Sequence, residues 1–105
     1  MALKKNYGVL LVVFLFFSLN ALAQTEGQLK GKLLDVNNVE VVYASLSLFQ
    51  KDSVFVKSTI STTKGDFNII AIAPGIYRLQ VDHIEFETFI TPDFTISENE
   101  TKTLF

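Results

Sequence analysis

The chain has 105 residues, nearly half of them hydrophobic, with 9 basic and 11 acidic residues and no cysteine. A formal charge of −2 with the basic residues scattered excludes a nucleic-acid or anionic-membrane partner recognised by charge. The missing cysteines exclude a disulfide framework or disulfide partner, a lipidated cysteine, and thiol redox or thiolate-metal chemistry.

Lys4 and Lys5 open the chain with positive charge, an apolar run follows from Val9 to Phe17, and Ala21-Leu22-Ala23 supplies small residues at the expected spacing. This is the anatomy of a helical secretory signal peptide over residues 1–23, with Ala21 and Ala23 as the recognition positions and Gln24 as the new N-terminus. Ser18 and Asn20 interrupt the run well before the ~20 apolar residues that a spanning helix needs. The mature chain, residues 24–105, is therefore expected outside the cytoplasm, in the periplasm or on the periplasmic face of the outer membrane, as one small domain.

Beyond the leader, apolar and polar residues alternate, which is the strand signal. Leu29, Gly31 and Leu33 form one such run, and Ala44, Leu46 and Leu48 a second. Val54 and Val56 begin a β-branched stretch reaching Ile60, Phe67 and Ile69 a fourth run, and Tyr77, Leu79 and Val81 a fifth. Phe86 to Thr91 is a sixth, and Phe94 to Ile96 with Thr101 to Phe105 reads as a last pair of short strands. Turn-like breaks lie at Asp35–Asn38, Gln50–Ser53, Thr62–Gly65, Pro74-Gly75, Thr91–Asp93 and Ser97–Glu100. Gly65 is expected to take positive φ, and Pro74-Gly75 to reverse the chain into the Tyr77 strand. No segment after the leader has helical periodicity. The predicted fold is all-β, a small antiparallel sandwich of about seven strands, immunoglobulin-like or prealbumin-like. Phe67, Tyr77, Leu79, Val81 and Phe86 are the predicted centre of its core. The chain closes on the apolar pair Leu104-Phe105, which reads either as a chain that continues or as a terminal strand docked on the core.

The ordered set Gly31-Lys32-Leu33-Leu34-Asp35, Asn37-Asn38, Tyr43-Ala44-Ser45-Leu46-Ser47-Leu48, Asp52 to Thr59, Gly65-Asp66-Phe67-Asn68-Ile69, Pro74 to Leu79 and His83 to Thr88 resembles the carboxypeptidase-regulatory-like domain. The likeness spans essentially the whole mature chain. Three departures stand out. Glu40 and Val42 replace prolines common in the family, Thr62-Thr63-Lys64-Gly65 replaces an Asp-x-Asn-Gly turn, and Glu85 stands where glycine is usual. If that glycine is left-handed, Glu85 carries strain of order 1 kcal/mol or the turn is altered.

Catalytic chemistry is hard to assemble from these residues. His83 is the single histidine, so neither a multi-histidine zinc site nor a Ser/His/Asp arrangement with a partner histidine is available. Asp82, Glu85 and Glu87 surround it but lack the spacing of a calcium loop. Asn99-Glu100-Thr101 matches a glycosylation acceptor, relevant only in a eukaryote. Neither a phosphate loop nor a dinucleotide fingerprint is present, so the reading is non-enzymatic, with no catalytic or metal site and no cofactor.

The resemblance implies a signal peptide and accessory domain at the head of a Gram-negative outer-membrane β-barrel protein, often a TonB-dependent receptor for nutrient uptake. Its partners would be that receptor's plug and barrel or another periplasmic protein. The domain is too short to span the membrane as a barrel itself. A free-standing periplasmic or secreted module binding carbohydrate or protein is the alternative, and the accessory domain of a metallocarboxypeptidase a third. Phe49, Phe55 and Phe89 fall outside the predicted inward register. They are candidates for an exposed binding patch, or else cover the second face of a sheet or an interface.

Overall fold

The computed structural model describes residues 25–105, so the signal peptide and the cleavage positions Ala21, Ala23 and Gln24 lie outside the described residues. The described residues contain no helix. They form eight strands: β1 Gly27–Lys32, β2 Ser45–Gln50, β3 Phe55–Ile60, β4 Asp66–Ile72, β5 Gly75–His83, β6 Phe86–Ile90, β7 Phe94–Ile96 and β8 Thr101–Leu104. The predicted all-β sandwich is the fold observed. Eight strands stand against the about seven expected, and the last two short runs fall in different sheets.

A three-stranded sheet has the order β4-β1-β8, and a larger sheet the order β3-β2-β5-β6, with β7 also pairing β5. All ladders are antiparallel except that of β1 with β8, which is parallel. This departs from the purely antiparallel expectation for a topological reason. The chain leaves the larger sheet after β7 and crosses at Ser97–Glu100 to the smaller one, entering in the same direction as β1. Gly31 permits that approach, since a Cβ there would stand 1.9 Å from the Leu104 carbonyl oxygen and 2.9 Å from the Phe67 ring.

Alternation places Leu46 and Leu48 of β2 and Tyr77 and Leu79 of β5 on one inner face, opposite Leu29 of β1 and Phe67, Ile69 and Ile72 of β4, and all are buried. Fully burying a side chain of this kind contributes roughly 1.5–3 kcal/mol, which is how a chain without disulfides holds together. Of the predicted core centre, Phe67, Tyr77 and Leu79 are buried, Val81 is half-buried, and Phe86 is not, being 46% exposed.

The partner of β5 on this side changes along its length: its C-terminal half pairs β6 and its N-terminal half pairs β7. Thr91 sits at the changeover. Its backbone N–H donates to the Leu79 carbonyl and its hydroxyl accepts the Leu79 N–H, both at 2.9 Å, so both backbone groups of Leu79 are satisfied there. Ser61 does similar work between β3 and β4. Buried, it accepts the Ala44 N–H at 2.8 Å and donates to the Val41 carbonyl at 2.9 Å, pinning the β1–β2 loop.

Gly65 takes φ 78° as expected, and Thr62 closes that turn by accepting the Lys64 and Asp66 N–H groups. The predicted break at Pro74-Gly75 lies where expected: β4 ends at Ile72 and β5 begins at Gly75. Within β4, Ala71 takes positive φ, at 58°. A bulge in β4 explains it: Gly27 and Leu29 face Ile72 and Ile69, so β4 carries one extra residue. Lys57 of β3 donates to the freed Ile70 and Ala71 carbonyls at 2.7 and 2.8 Å, tying the edges of the two sheets. Glu85 is not among the described residues with positive φ, so the departure from glycine there stores no left-handed strain.

Candidate functional site: an apolar cleft at one end of the sandwich

The β1–β2 loop, the Thr62–Gly65 turn, the β5–β6 hairpin and Phe105 gather at one end of the sandwich. Asp35 shapes the loop, its Oδ1 accepting the N–H groups of Asn37 and Val39 at 2.8 and 2.9 Å while Asn38 takes φ 61°. His83 ties the hairpin to the same loop. Its Nε2 lies 3.0 Å from the Val42 carbonyl and its Nδ1 accepts the Glu85 N–H at 3.1 Å. That pair of bonds calls for the neutral tautomer with the proton on Nε2, and leaves neither nitrogen for proton transfer or metal binding.

Here a second bulge decides the chemistry. Val81 and His83 face Phe89 and Phe86, so β6 spends three residues where β5 spends two. Phe86 and Phe89 therefore point to the same inner face, where strict alternation sets them apart. Beside them lies a cleft of about 280 Å³ lined by residues that include Leu33, Val41, Val81, Phe86, Phe89 and Phe105. The Phe105 ring bridges it, meeting Phe67 edge-on at 6.3 Å and Phe89 at 5.9 Å. Asp35, His83 and Glu87 supply its polar lining.

The three phenylalanines outside the predicted register do not form one patch. Phe49 and Phe55 are an edge-to-face pair at 5.8 Å on the outer face of the larger sheet, beside Arg78, which donates to the Ser53 hydroxyl. Phe89 belongs to the cleft. Asp82, Glu85 and Glu87 are likewise not brought together. The Asp82 carboxylate accepts from the Thr88 hydroxyl at 2.6 Å and from the Gln80 amide at 2.9 Å, and these bonds, Thr88 first, hold its pKa below the usual value. Among the described residues no three His, Asp or Glu side chains could share a metal ion. Burial pushes the Tyr77 phenol above its usual range, and its hydroxyl donates to the Ala73 carbonyl at 2.5 Å, four residues upstream. Asn99 of the acceptor triplet takes φ 58° in the β7–β8 turn, where the Glu100 carboxylate accepts the Ser97 N–H at 2.8 Å.

Sequence reasoning misses the cleft, and it misses Ser61 and Thr91. Hydroxyl residues next to turns carry no periodic signal, and a bulge is invisible to a period of two. Chemically, the cleft offers shape, apolar surface and two carboxylates, which suits binding.

Residues 28–104 match the family model of the carboxypeptidase regulatory-like domain. No curated protein matches the chain at a significant level. With nearly all the described residues inside the matched span, and the ordered turns and strands in place, the chain belongs to the carboxypeptidase regulatory-like domain family, whose domain is a non-catalytic β-sandwich.

Proposed function

We propose that the chain is an exported accessory and interaction domain, standing at the N-terminus of a TonB-dependent outer-membrane receptor for nutrient uptake. The observation that carries this reading is order. A leader with the anatomy of a signal peptide, ending at Ala21-Leu22-Ala23, runs directly into a sandwich of this family. In that setting the domain sits in the periplasm ahead of the plug and barrel, contributing contacts and no chemistry. The test is an immunoblot of fractionated native cells with antibody raised against residues 24–105. A band far larger than the 11.8 kDa chain, in the outer membrane, is expected. A band at or below that mass, in the periplasm or medium, overturns the receptor reading.

A free-standing binding module is the second reading, favoured by the apolar cleft, which a domain serving only as a spacer has no need to keep open.

A further inference from the structure

The end of the sandwich that holds the cleft also exposes apolar residues to a degree that folding does not require. Val36, at the tip of the β1–β2 loop, is 99% exposed, and Ile84, at the tip of the β5–β6 hairpin, is 98% exposed. The His83–Val42 hydrogen bond ties the β5–β6 hairpin to the β1–β2 loop. A second depression, which shares His83 with the cleft, is lined by residues including Tyr43, Ile84 and Glu85. Tyr43 is itself exposed, and its backbone takes φ 59°, a conformation costing a bulky residue about 1–2 kcal/mol. Strain of this kind gathers where a side chain must be presented to a ligand. Exposed apolar tips around an apolar cleft are the composition of an interaction site.

Charge narrows the occupant. The cleft lining includes Asp35 and Glu87 and contains no lysine or arginine, and Glu85 flanks Ile84. Of the basic residues nearby, Lys32 is held by Glu40 at 3.1 Å, and Lys64 lies in the adjoining Thr62–Gly65 turn. The surface is apolar at its centre and acidic around it.

We propose that this end docks a segment of a partner protein that carries an aliphatic or aromatic anchor flanked by lysine or arginine. The anchor enters the cleft against Phe86 and Phe89, and the flanking cations meet Asp35 and Glu87. An anionic lipid surface is repelled by the same rim, and a second copy would set two acidic rims against each other. The proposal rests on the reading of the chain as an interaction domain, but not on which larger protein carries it.

The test is an amide NMR titration of the ¹⁵N-labelled protein with two synthetic peptides, acetyl-Lys-Leu-Phe-Lys-amide and its Glu-Leu-Phe-Glu counterpart. The expected result is saturable shifts confined to residues 33–43 and 83–89 with the basic peptide, and binding at least about five-fold weaker for the acidic one, the ratio set by roughly 1 kcal/mol of charge discrimination. Glu87→Lys should reverse that preference, and Ile84→Ser should weaken binding of the basic peptide with the rest of the spectrum unchanged. Equal shifts with both peptides, shifts scattered over the outer sheet face, binding to phosphatidylglycerol vesicles, or concentration-dependent dimerisation through this end would each overturn it. The outcome is independent of the immunoblot. A small band with a positive titration removes the receptor and keeps the docking surface, and a large band with no titration does the reverse.

Discussion

Single polar side chains do the work that periodicity cannot. Thr91 satisfies both backbone groups of Leu79 where β5 changes partner, so Thr91→Val strands a buried N–H and should cost about 1–3 kcal/mol in urea unfolding, with Thr91→Ser costing less. Gly65→Ala meets two obstacles at once. The backbone is at φ 78° and the added Cβ would stand 2.6 Å from the Leu33 carbonyl oxygen, so a loss above the ~1–2 kcal/mol of the conformational term is expected by the same measurement. Asp82 sets a pH dependence of known sign. Its folded pKa lies below its ordinary value of 3.8 because Thr88 and Gln80 donate to the carboxylate. The folded state therefore binds that proton less readily than the unfolded chain. Stability from this group is present above about pH 4 and is lost as pH falls through the lowered value. Asp82→Asn should flatten that acid limb in unfolding midpoints taken from pH 5 to pH 2, and Thr88→Val should do so in part.

At the scale of elements, β2 and β5 were legible because their inner faces alternate without interruption. Leu46 and Leu48 in β2, and Tyr77 and Leu79 in β5, are buried in the register their spacing predicts. Reading fails at the bulges. The extra residue in β4 puts a positive φ on Ala71, which composition does not signal. The extra residue in β6 turns Phe86 and Phe89 onto one face, so the predicted core residue Phe86 becomes part of the cleft wall. The parallel pairing of β8 was equally hidden, because nothing in Thr101–Leu104 distinguishes a parallel partner from an antiparallel one. Gly31 is its structural signature. Gly31→Ala should drive β8 off β1, and hydrogen exchange should show amide protection lost in β8 while the β1–β4 ladder is retained.

For the molecule as a whole, the inner faces and the loop end have separate duties. The core is built from Leu29, Leu46, Leu48, Phe67, Leu79 and their neighbours, and none of it depends on the exposed tips. The family and fold follow from the ordered strands and turns. The candidate site was not legible, since it depends on where a bulge directs two aromatic rings. Urea denaturation of the double variant Val36→Ser/Ile84→Ser tests this separation most directly. Both side chains are almost wholly solvated, so the midpoint and slope should match the parent, with stability changed by no more than about 0.5 kcal/mol. A loss of about 2 kcal/mol or more would mean that the tips hold the fold together, and would contradict a surface kept for docking.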